Sequence, residues 1–145
     1  MRYWDSSALL PLLVNEPQSE EMRSLAGDPG PMVVWWGSPV ECLSALTRRS
    51  RMGLTRSELA RAEALLTGFR DEWSEVPPVD PVRATAEVLL RRHPLRAADA
   101  LQLAAALVAT DFKPQEHDFI TLDTRLGVAA HGEGFRVLPP LPDDA

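Results

Sequence analysis

The chain has 145 residues, 45% of them hydrophobic and 25% charged, which are the proportions of one globular domain with its own core. The formal net charge of −6 argues against a protein that coats nucleic acid or anionic membrane non-specifically, although it does not exclude a nucleic-acid enzyme. The single cysteine, Cys42, excludes an internal disulfide and a thiolate metal cluster, which favours a reducing, cytoplasmic location.

No targeting or membrane segment is predicted. The apolar run at 8–14 is the best candidate for a signal peptide, but it follows Asp5, no basic segment precedes it, and no small-residue cleavage motif follows it. No uninterrupted apolar stretch approaches the roughly 18 residues that a membrane span requires. We therefore expect no contact with a membrane.

Strand and helix signals alternate along the chain. In chain order they predict a strand at 1–4, helices at 8–14 and 18–26, a strand at 32–36, helices at 38–52 and from 55 to about 73, a weak edge strand at 75–79, helices at 80–92 and 95–110, and strands at 119–122 and 135–138. Strands separated by helices need crossover connections, so we expect an α/β fold with a short, mostly parallel sheet covered on both faces. Residues 1–138 form the predicted domain and 139–145 a proline-rich tail.

Three carboxylates stand where predicted strands end. Asp5 and Asp123 each terminate a strand, and Glu41 lies just beyond the strand at 32–36. The carboxyl ends of parallel strands lie along one edge of a sheet, where binding sites form. Taken singly, however, Asp5 and Asp123 are also explained as helix or turn caps, and Glu41 as part of a capping box with Ser38.

A fourth acid, Asp99, is harder to explain as a cap. The segment 97–109 is apolar nearly all round, as in a buried helix, and only Asp99 and Gln102 interrupt it, one turn apart. A buried carboxylate costs several kcal/mol unless it is paired or bound to metal. Arg96, three residues earlier, is the alternative partner, but a metal explains the pattern better.

Bringing the four acids together requires a cation. Two carboxylates about 4 Å apart repel by about 4 kcal/mol at an effective dielectric constant of 20. Hard divalent cations prefer oxygen ligands, whereas zinc is disfavoured because no cysteine or histidine stands at a ligand spacing. The sequence therefore predicts that Asp5, Glu41, Asp99 and Asp123 bind divalent metal.

Four ordered segments resemble the PIN-domain ribonucleases, particularly the VapC toxins of bacterial toxin–antitoxin pairs. They are YWDSSAL at 3–9, SPVE at 38–41, LRAADALQLA at 95–104 and FITLDTRL at 119–126. The resemblance implies a three-layer α/β/α domain that binds Mg²⁺ or Mn²⁺ and cuts RNA, leaving 5′-phosphate and 3′-hydroxyl ends. Three of the acids, Asp5, Glu41 and Asp99, match invariant ligands of the family, and Asp123 matches a more variable fourth acid. Gln102 stands where the family often has histidine.

Neighbouring residues have both functional and structural interpretations. Ser7 and Thr121 either orient ligands and waters or serve as turn and cap hydroxyls. Arg48 and Arg96 either hold the RNA backbone or are solvated surface charges. The resemblance also implies a homodimer and a cognate antitoxin, with contacts expected on exposed apolar helix surface within 8–26 and 39–73.

Other classes fit less well. A response-regulator receiver normally has an acidic pair after its first strand and a lysine after its last, but Lys113 precedes the strand at 119–122. A haloacid-dehalogenase-like phosphatase requires D-x-D where this chain has DSS at 5–7. The remaining alternative is a PIN fold that binds RNA or protein without cleaving RNA.

Overall fold

The computed structural model describes residues 1–143 and places a parallel sheet at the centre of the molecule. Its strands are β1 (Arg2–Trp4), β2 (Met32–Trp35), β3 (Ser74–Val76), β4 (Asp118–Ile120) and β5 (Arg136–Leu138). They lie in the order β3-β2-β1-β4-β5, and every neighbouring pair is parallel. The central position of β1 places the residue after it, Asp5, in the middle of the carboxyl edge of the sheet.

Within the described residues seven α-helices connect these strands. They are α1 (Ser6–Leu13), α2 (Ser19–Ala26), α3 (Ser38–Arg51), α4 (Arg56–Glu72), α5 (Asp80–Arg92), α6 (Ala97–Ala109) and α7 (Thr124–Glu133), with a short 3-10 helix at Pro114–Glu116 before β4. None of these helices is long and apolar enough to cross a membrane.

The sheet separates two hydrophobic cores, because successive residues of a strand point to opposite faces. Trp4 and Ile120 pack in one core with side chains of α1 to α4. Tyr3 and Phe119 pack in the other with α5 to α7, and their rings stack with centroids 5.2 Å apart. The predicted three-layer α/β/α architecture is confirmed.

Several predicted boundaries need correction. The first helix begins at Ser6, two residues earlier than predicted, because the Asp5 carboxylate caps it by accepting from the Ser7 amide. β4 ends at Ile120, so Asp123 lies beyond the strand and does not terminate it. β3 is shorter than the predicted strand at 75–79, but its place at the edge of the sheet is as predicted.

The helix α7 was missing from the sequence prediction, which placed only a turn after Asp123. Its apolar signal is weak because small residues, among them Gly127, Ala129 and Ala130, form most of its buried face. Small side chains suit this helix because neighbours approach it closely. A Cβ added at Gly127 would lie 2.8 Å from Cδ2 of Leu141.

Leu141 belongs to the segment predicted as a proline-rich tail, and it packs against the core beside α7. The last two residues of that tail, 144 and 145, lie outside the described residues. The division between a domain at 1–138 and a tail at 139–145 stays a prediction.

Candidate active site

Asp5 is buried at the carboxyl edge of the sheet, with 5% of its surface exposed. Its Oδ2 atom accepts hydrogen bonds from the Ser7 hydroxyl at 2.5 Å, the Thr121 hydroxyl at 2.9 Å and the Ser7 amide at 3.3 Å. Within residues 1–143 no hydrogen bond reaches its Oδ1 atom. The carboxylate is therefore held by one oxygen and leaves the other for a ligand.

Among the described residues, no cationic side chain compensates the charge of Asp5. Its pKa is raised from 3.8 to about 6 in all: burial raises it most, hydrogen bonds from Ser7 and Thr121 lower it, and the negative charge of Glu41 raises it. No arginine, lysine or histidine among the described residues forms an ion pair with Asp5. A cation would remove both the desolvation cost and the repulsion.

Glu41 lies in the first turn of α3, where its carboxylate reaches across to two other helices. Its Oε1 atom accepts from the Ser6 hydroxyl and from Nε2 of Gln102, each at 2.5 Å. The predicted capping box is wrong, because Gly37 is the N-cap of α3 and Ser38 is already inside the helix. Ser38 instead accepts from Nε2 of Gln102 at 3.2 Å.

The charges of Asp5 and Glu41 act on each other, and those of Asp99 and Asp123 do the same, so the four acids form two pairs. Burial raises the pKa of Asp99, and the charge of Asp123 adds to this, while the backbone of Arg96 and the charges of Arg96 and Arg125 oppose it. Asp123 is the N-cap of α7 and accepts from the Leu126 amide through Oδ1 at 3.1 Å.

The full burial predicted for Asp99 is wrong. It lies in the first turn of α6, where Ala97 and Ala98 are exposed, and it is only partly buried. Gln102, one turn later, is the buried polar residue of this helix, with 1% exposure. Of the two polar residues in this apolar helix, Gln102 is therefore the one surrounded by buried side chains, and Asp99 lies nearer the surface.

The four acids thus stand as two pairs around one edge of the sheet. Gln102 connects them, because it contacts Glu41 and lies one helical turn from Asp99. In residues 1–143 no three carboxylate, histidine or cysteine side chains gather closely enough to form a ready-made metal site. Joint binding of one metal by Asp5, Glu41, Asp99 and Asp123 stays a prediction.

The donor chemistry fits a hard divalent cation. Asp5, Glu41 and Asp123 each use one carboxylate oxygen for hydrogen bonds, and the other receives none from the described residues. Cys42, beside Glu41, is buried, and burial followed by the charges of Glu41 and Asp5 raises its pKa to about 12. A neutral thiol offers no thiolate ligand, so oxygen atoms dominate this site.

The structure places the two hydroxyl residues and the two arginines predicted around the acids as follows. Ser7 and Thr121 both donate to Asp5, which fits a role in orienting that carboxylate. Ser7 also accepts from the Leu122 amide and Thr121 from the Asp123 amide, which fits a structural role in the turn. Arg48 is exposed in the last turn of α3, and Arg96 is exposed at the N-cap of α6.

Sequence reasoning missed several contributors. Arg125 influences Asp99 and follows Asp123 by two residues, a spacing that would have revealed it. Ser6 was visible inside the DSS motif but was not assigned. Tyr3, which donates to Gln102, gave no signal, because an aromatic residue in a buried strand is ordinarily core.

Fold and site together define an α/β/α protein with a buried aspartate, Asp5, and further acidic side chains at the carboxyl edge of a parallel sheet. The profile of the PIN domain matches residues 2–132, and the chain belongs to the PIN-domain family. The resemblance noted from the sequence is thereby confirmed.

Named relatives cover nearly the whole chain. Ribonuclease VapC45 and Ribonuclease VapC49 of Mycobacterium tuberculosis are each 36% identical over 151 aligned positions, covering 94% of both chains. Ribonuclease VapC47 of the same organism is 31% identical and covers 97% of both.

Solved structures show the same fold. FitAcB from Neisseria gonorrhoeae matches with a TM-score of 0.64 and 17% identity, covering 94% of this chain and 96% of that one. PAE2754 from Pyrobaculum aerophilum matches with a TM-score of 0.61 and 19% identity, covering 94% of this chain and 88% of that one.

Proposed function

We propose that the chain is a divalent-metal-dependent endoribonuclease that hydrolyses RNA phosphodiester bonds as the toxin of a toxin–antitoxin pair. The observation that carries this proposal is Asp5: a buried carboxylate at the carboxyl edge of the sheet, with a raised pKa and no cationic partner among the described residues. The relatives named Ribonuclease VapC support RNA as the substrate.

In Asp5, Glu41 and Asp123, one carboxylate oxygen accepts hydrogen bonds from the protein, and the other is proposed to bind the cation. Mg²⁺ or Mn²⁺, when bound, supplies an activated water and stabilises the leaving oxygen of the phosphodiester. Asp5 Oδ1, Glu41 Oε2 and Asp123 Oδ2 are the oxygens available to hold the cation, with Asp99 as the fourth donor. Ser7 and Thr121 fix the Asp5 carboxylate through its other oxygen.

Exposed arginines are proposed to hold the RNA backbone. Arg96 and Arg125 lie close enough to Asp99 to lower its pKa, so each stands within reach of a phosphate at the acids. Arg48 is seven residues after Glu41, on nearly the same face of α3 and two turns away.

A groove between α1, α2 and α4 is the proposed antitoxin contact. It has a volume of about 650 Å³ and is lined by apolar side chains, among them Leu13, Leu65 and Phe69, and by two arginines, Arg23 and Arg61. Apart from Gly27, its lining residues belong to the two segments, 8–26 and 39–73, expected to carry partner contacts. A homodimer and a cytoplasmic location belong to the same proposal.

A non-catalytic PIN module that binds RNA or protein is the second candidate. The observation that favours it is the division of the acids into two pairs, with no three in a closed cluster among residues 1–143. Cleavage assays separate the two candidates.

The test is incubation of RNA with the purified protein in Mg²⁺ or Mn²⁺, with and without EDTA, beside an Asp5→Asn variant. The matched control is Asp118→Asn, the same chemical change on a buried aspartate at the opposite edge of the sheet. We expect cleavage by the wild type and by the control, and loss of at least about a hundredfold in Asp5→Asn, since even outer partners of metal ligands are worth 10–100-fold. Equal cleavage by all three proteins, or cleavage by none across many RNAs, would contradict the proposal.

A further inference from the structure

A buried chain of hydrogen bonds runs from β1 through α6 to Glu41. Tyr3 is fully buried and Gln102 is 1% exposed. The Tyr3 hydroxyl donates to Oε1 of Gln102 at 2.5 Å, and Nε2 of Gln102 donates to Oε1 of Glu41 at 2.5 Å and to the Ser6 hydroxyl at 2.9 Å. Three elements separated widely in sequence are thereby joined at one carboxylate.

The Gln102 amide fits this place in only one direction. An amide has two acceptor sites at its oxygen and two donor hydrogens at its nitrogen, and here the two hydrogens are shared among the hydroxyls of Ser6 and Ser38 and the Glu41 carboxylate. The Tyr3 hydroxyl donates to the amide oxygen, but a hydroxyl can also accept, so the direction of the amide is fixed at its other end, by the Glu41 carboxylate. Turned by 180°, the amide would place its oxygen against the carboxylate oxygen of Glu41, acceptor against acceptor.

The direction of the amide decides which oxygen of Glu41 is free. The Ser6 hydroxyl accepts from Gln102 and donates to Glu41, so both of these donors meet at Oε1. Among the described residues, no donor reaches Oε2. Charge-assisted bonds of this kind hold a carboxylate in place more firmly than neutral ones.

We propose that Tyr3 and Gln102 are positioning residues for the metal site: the Tyr3 hydroxyl anchors the oxygen of the Gln102 amide, and the amide nitrogen holds Glu41 Oε1 so that Oε2 is left for a divalent cation. The proposal rests on the metal-dependent function proposed above. Neither residue is a ligand, and each acts through the next residue in the chain of hydrogen bonds.

Calorimetric titration of Mn²⁺ into the RNA-free protein tests this directly. Tyr3→Phe removes the hydroxyl that anchors the amide oxygen, and Gln102→Leu removes the amide at similar volume. We expect each substitution to raise the dissociation constant for Mn²⁺ about 10–100-fold, the usual effect of losing a residue that hydrogen-bonds to a metal ligand. We expect the double variant to be no weaker than Gln102→Leu alone, because Tyr3 acts only through Gln102.

Thr110→Val is the matched control. Thr110 lies just after α6 and is buried, and its hydroxyl donates to the carbonyl of Leu107 at 3.0 Å, far along the helix from Gln102. Thr110→Val removes a buried hydrogen bond away from the acids, so we expect this variant to melt at a lower temperature and to bind Mn²⁺ as tightly as the wild type. If Tyr3→Phe and Gln102→Leu behave like this control, the positioning role is overturned.

A measurement on the wild type covers the case in which a variant does not fold. The side-chain amide resonances of Gln102 are expected to shift when Mg²⁺ is added, because the cation draws electron density from Glu41; unchanged resonances at saturating Mg²⁺ would overturn the proposal. Additive losses in the double variant would overturn it too. A wild type that binds no Mn²⁺ overturns the proposed function as well, whereas tight binding by wild type and single variants overturns the positioning role alone.

Discussion

Asp5 and Asp118 are two buried aspartates at opposite edges of the same sheet, and their surroundings differ completely. Asp5 follows the central strand β1 and is 5% exposed, whereas Asp118 opens the neighbouring strand β4 and is 8% exposed. Hydroxyl groups and one backbone amide donate to Asp5, and among the described residues no cationic side chain pairs with it. Its pKa is raised to about 6, mainly by burial.

Asp118 is fully compensated by two arginines. Arg136 donates to both of its oxygens, at 2.7 and 2.9 Å, and Arg2 donates to Oδ2 at 3.1 Å. Burial raises the pKa of Asp118, but the bonds and charges of Arg136 and Arg2 outweigh it and lower that pKa overall. At the amino edge of the sheet, Asp118 is thus neutralised by ion pairs with two arginines. At the carboxyl edge, Asp5 has no cationic partner among the described residues.

The contrast indicates what each edge is for. A protein that buries an aspartate for stability supplies a guanidinium, as this chain does at Asp118. At Asp5 the chain supplies hydroxyl and amide donors that orient the carboxylate, and the desolvation penalty of the ionised carboxylate is not offset by a cationic side chain among the described residues. The ion pairs at the amino edge stabilise the fold, and the uncompensated Asp5 supports the proposal that the carboxyl edge binds a cation.

The largest expected effect is an opposite response of stability to the same substitution. In metal-free protein at pH 7.5, we expect Asp118→Asn to lower the free energy of unfolding by about 1–2 kcal/mol, because two arginines lose a charged acceptor. We expect Asp5→Asn to raise it, by at most about 3 kcal/mol, because a charge buried at a cost is removed while asparagine still caps α1. Urea unfolding in EDTA measures both, and changes of the same sign would contradict the contrast.

The pH dependence of these two differences sharpens the comparison. The Asp5 pKa is raised from 3.8 to about 6, so its contribution to stability is complete below pH 3.8 and is lost as pH rises through about 6. The Asp118 pKa is lowered, so its contribution is complete above 3.8 and is lost as pH falls through the folded value.

From pH 7.5 to pH 5, the advantage of Asp5→Asn is therefore expected to shrink to roughly half, since about one pKa unit of difference is removed. The deficit of Asp118→Asn is expected to stay constant over the same interval. Unfolding curves at the two pH values, all in EDTA, provide the measurement. An advantage of Asp5→Asn that does not change with pH would show that its charge is not the cause.

The smallest expected effect concerns the arginines around the acids. Arg96→Ala is expected to raise KM for RNA a few-fold with kcat unchanged, and to reduce the slope of log affinity against log salt by about 0.7, the loss of one phosphate contact on a single strand. Arg70→Ala is the matched control, because Arg70 is exposed near the end of α4, next to the amino edge of β3. An equal change in KM for both variants would assign Arg96 to general surface charge.

Sequence reasoning reached the acids and the two hydroxyls beside Asp5, those of Ser7 and Thr121, but not the partners of Glu41, and the reason is distance along the chain. Asp5 and Asp123 were found because strand ends predict one shared edge, a property of local pattern and topology. Glu41 was also assigned a capping box with Ser38, because the spacing of three residues offered a local partner. Its actual partners are Ser6 and Gln102, 35 and 61 residues away, which no local pattern can indicate.

The same limit applies to Asp118 and to α7. Asp118 was not singled out, since Arg2, one of its two partners, is 116 residues away and pairs with it only through the register of β1 and β4. The helix α7 was missed because its small buried residues carry little hydrophobic signal, although they suit close packing against Leu141. Architecture followed from alternating local signals, whereas charge compensation followed from tertiary contacts.

The most direct test of the central claim is a crystal grown with Mn²⁺ and measured at a wavelength where manganese scatters anomalously. We expect one or two anomalous peaks at the carboxyl edge, in contact with Asp5 and Glu41 and within reach of Asp99 and Asp123, and none beside Asp118. An empty carboxyl edge at saturating Mn²⁺, or a peak only at the amino edge, would contradict the assignment of these acids to a metal-dependent active site.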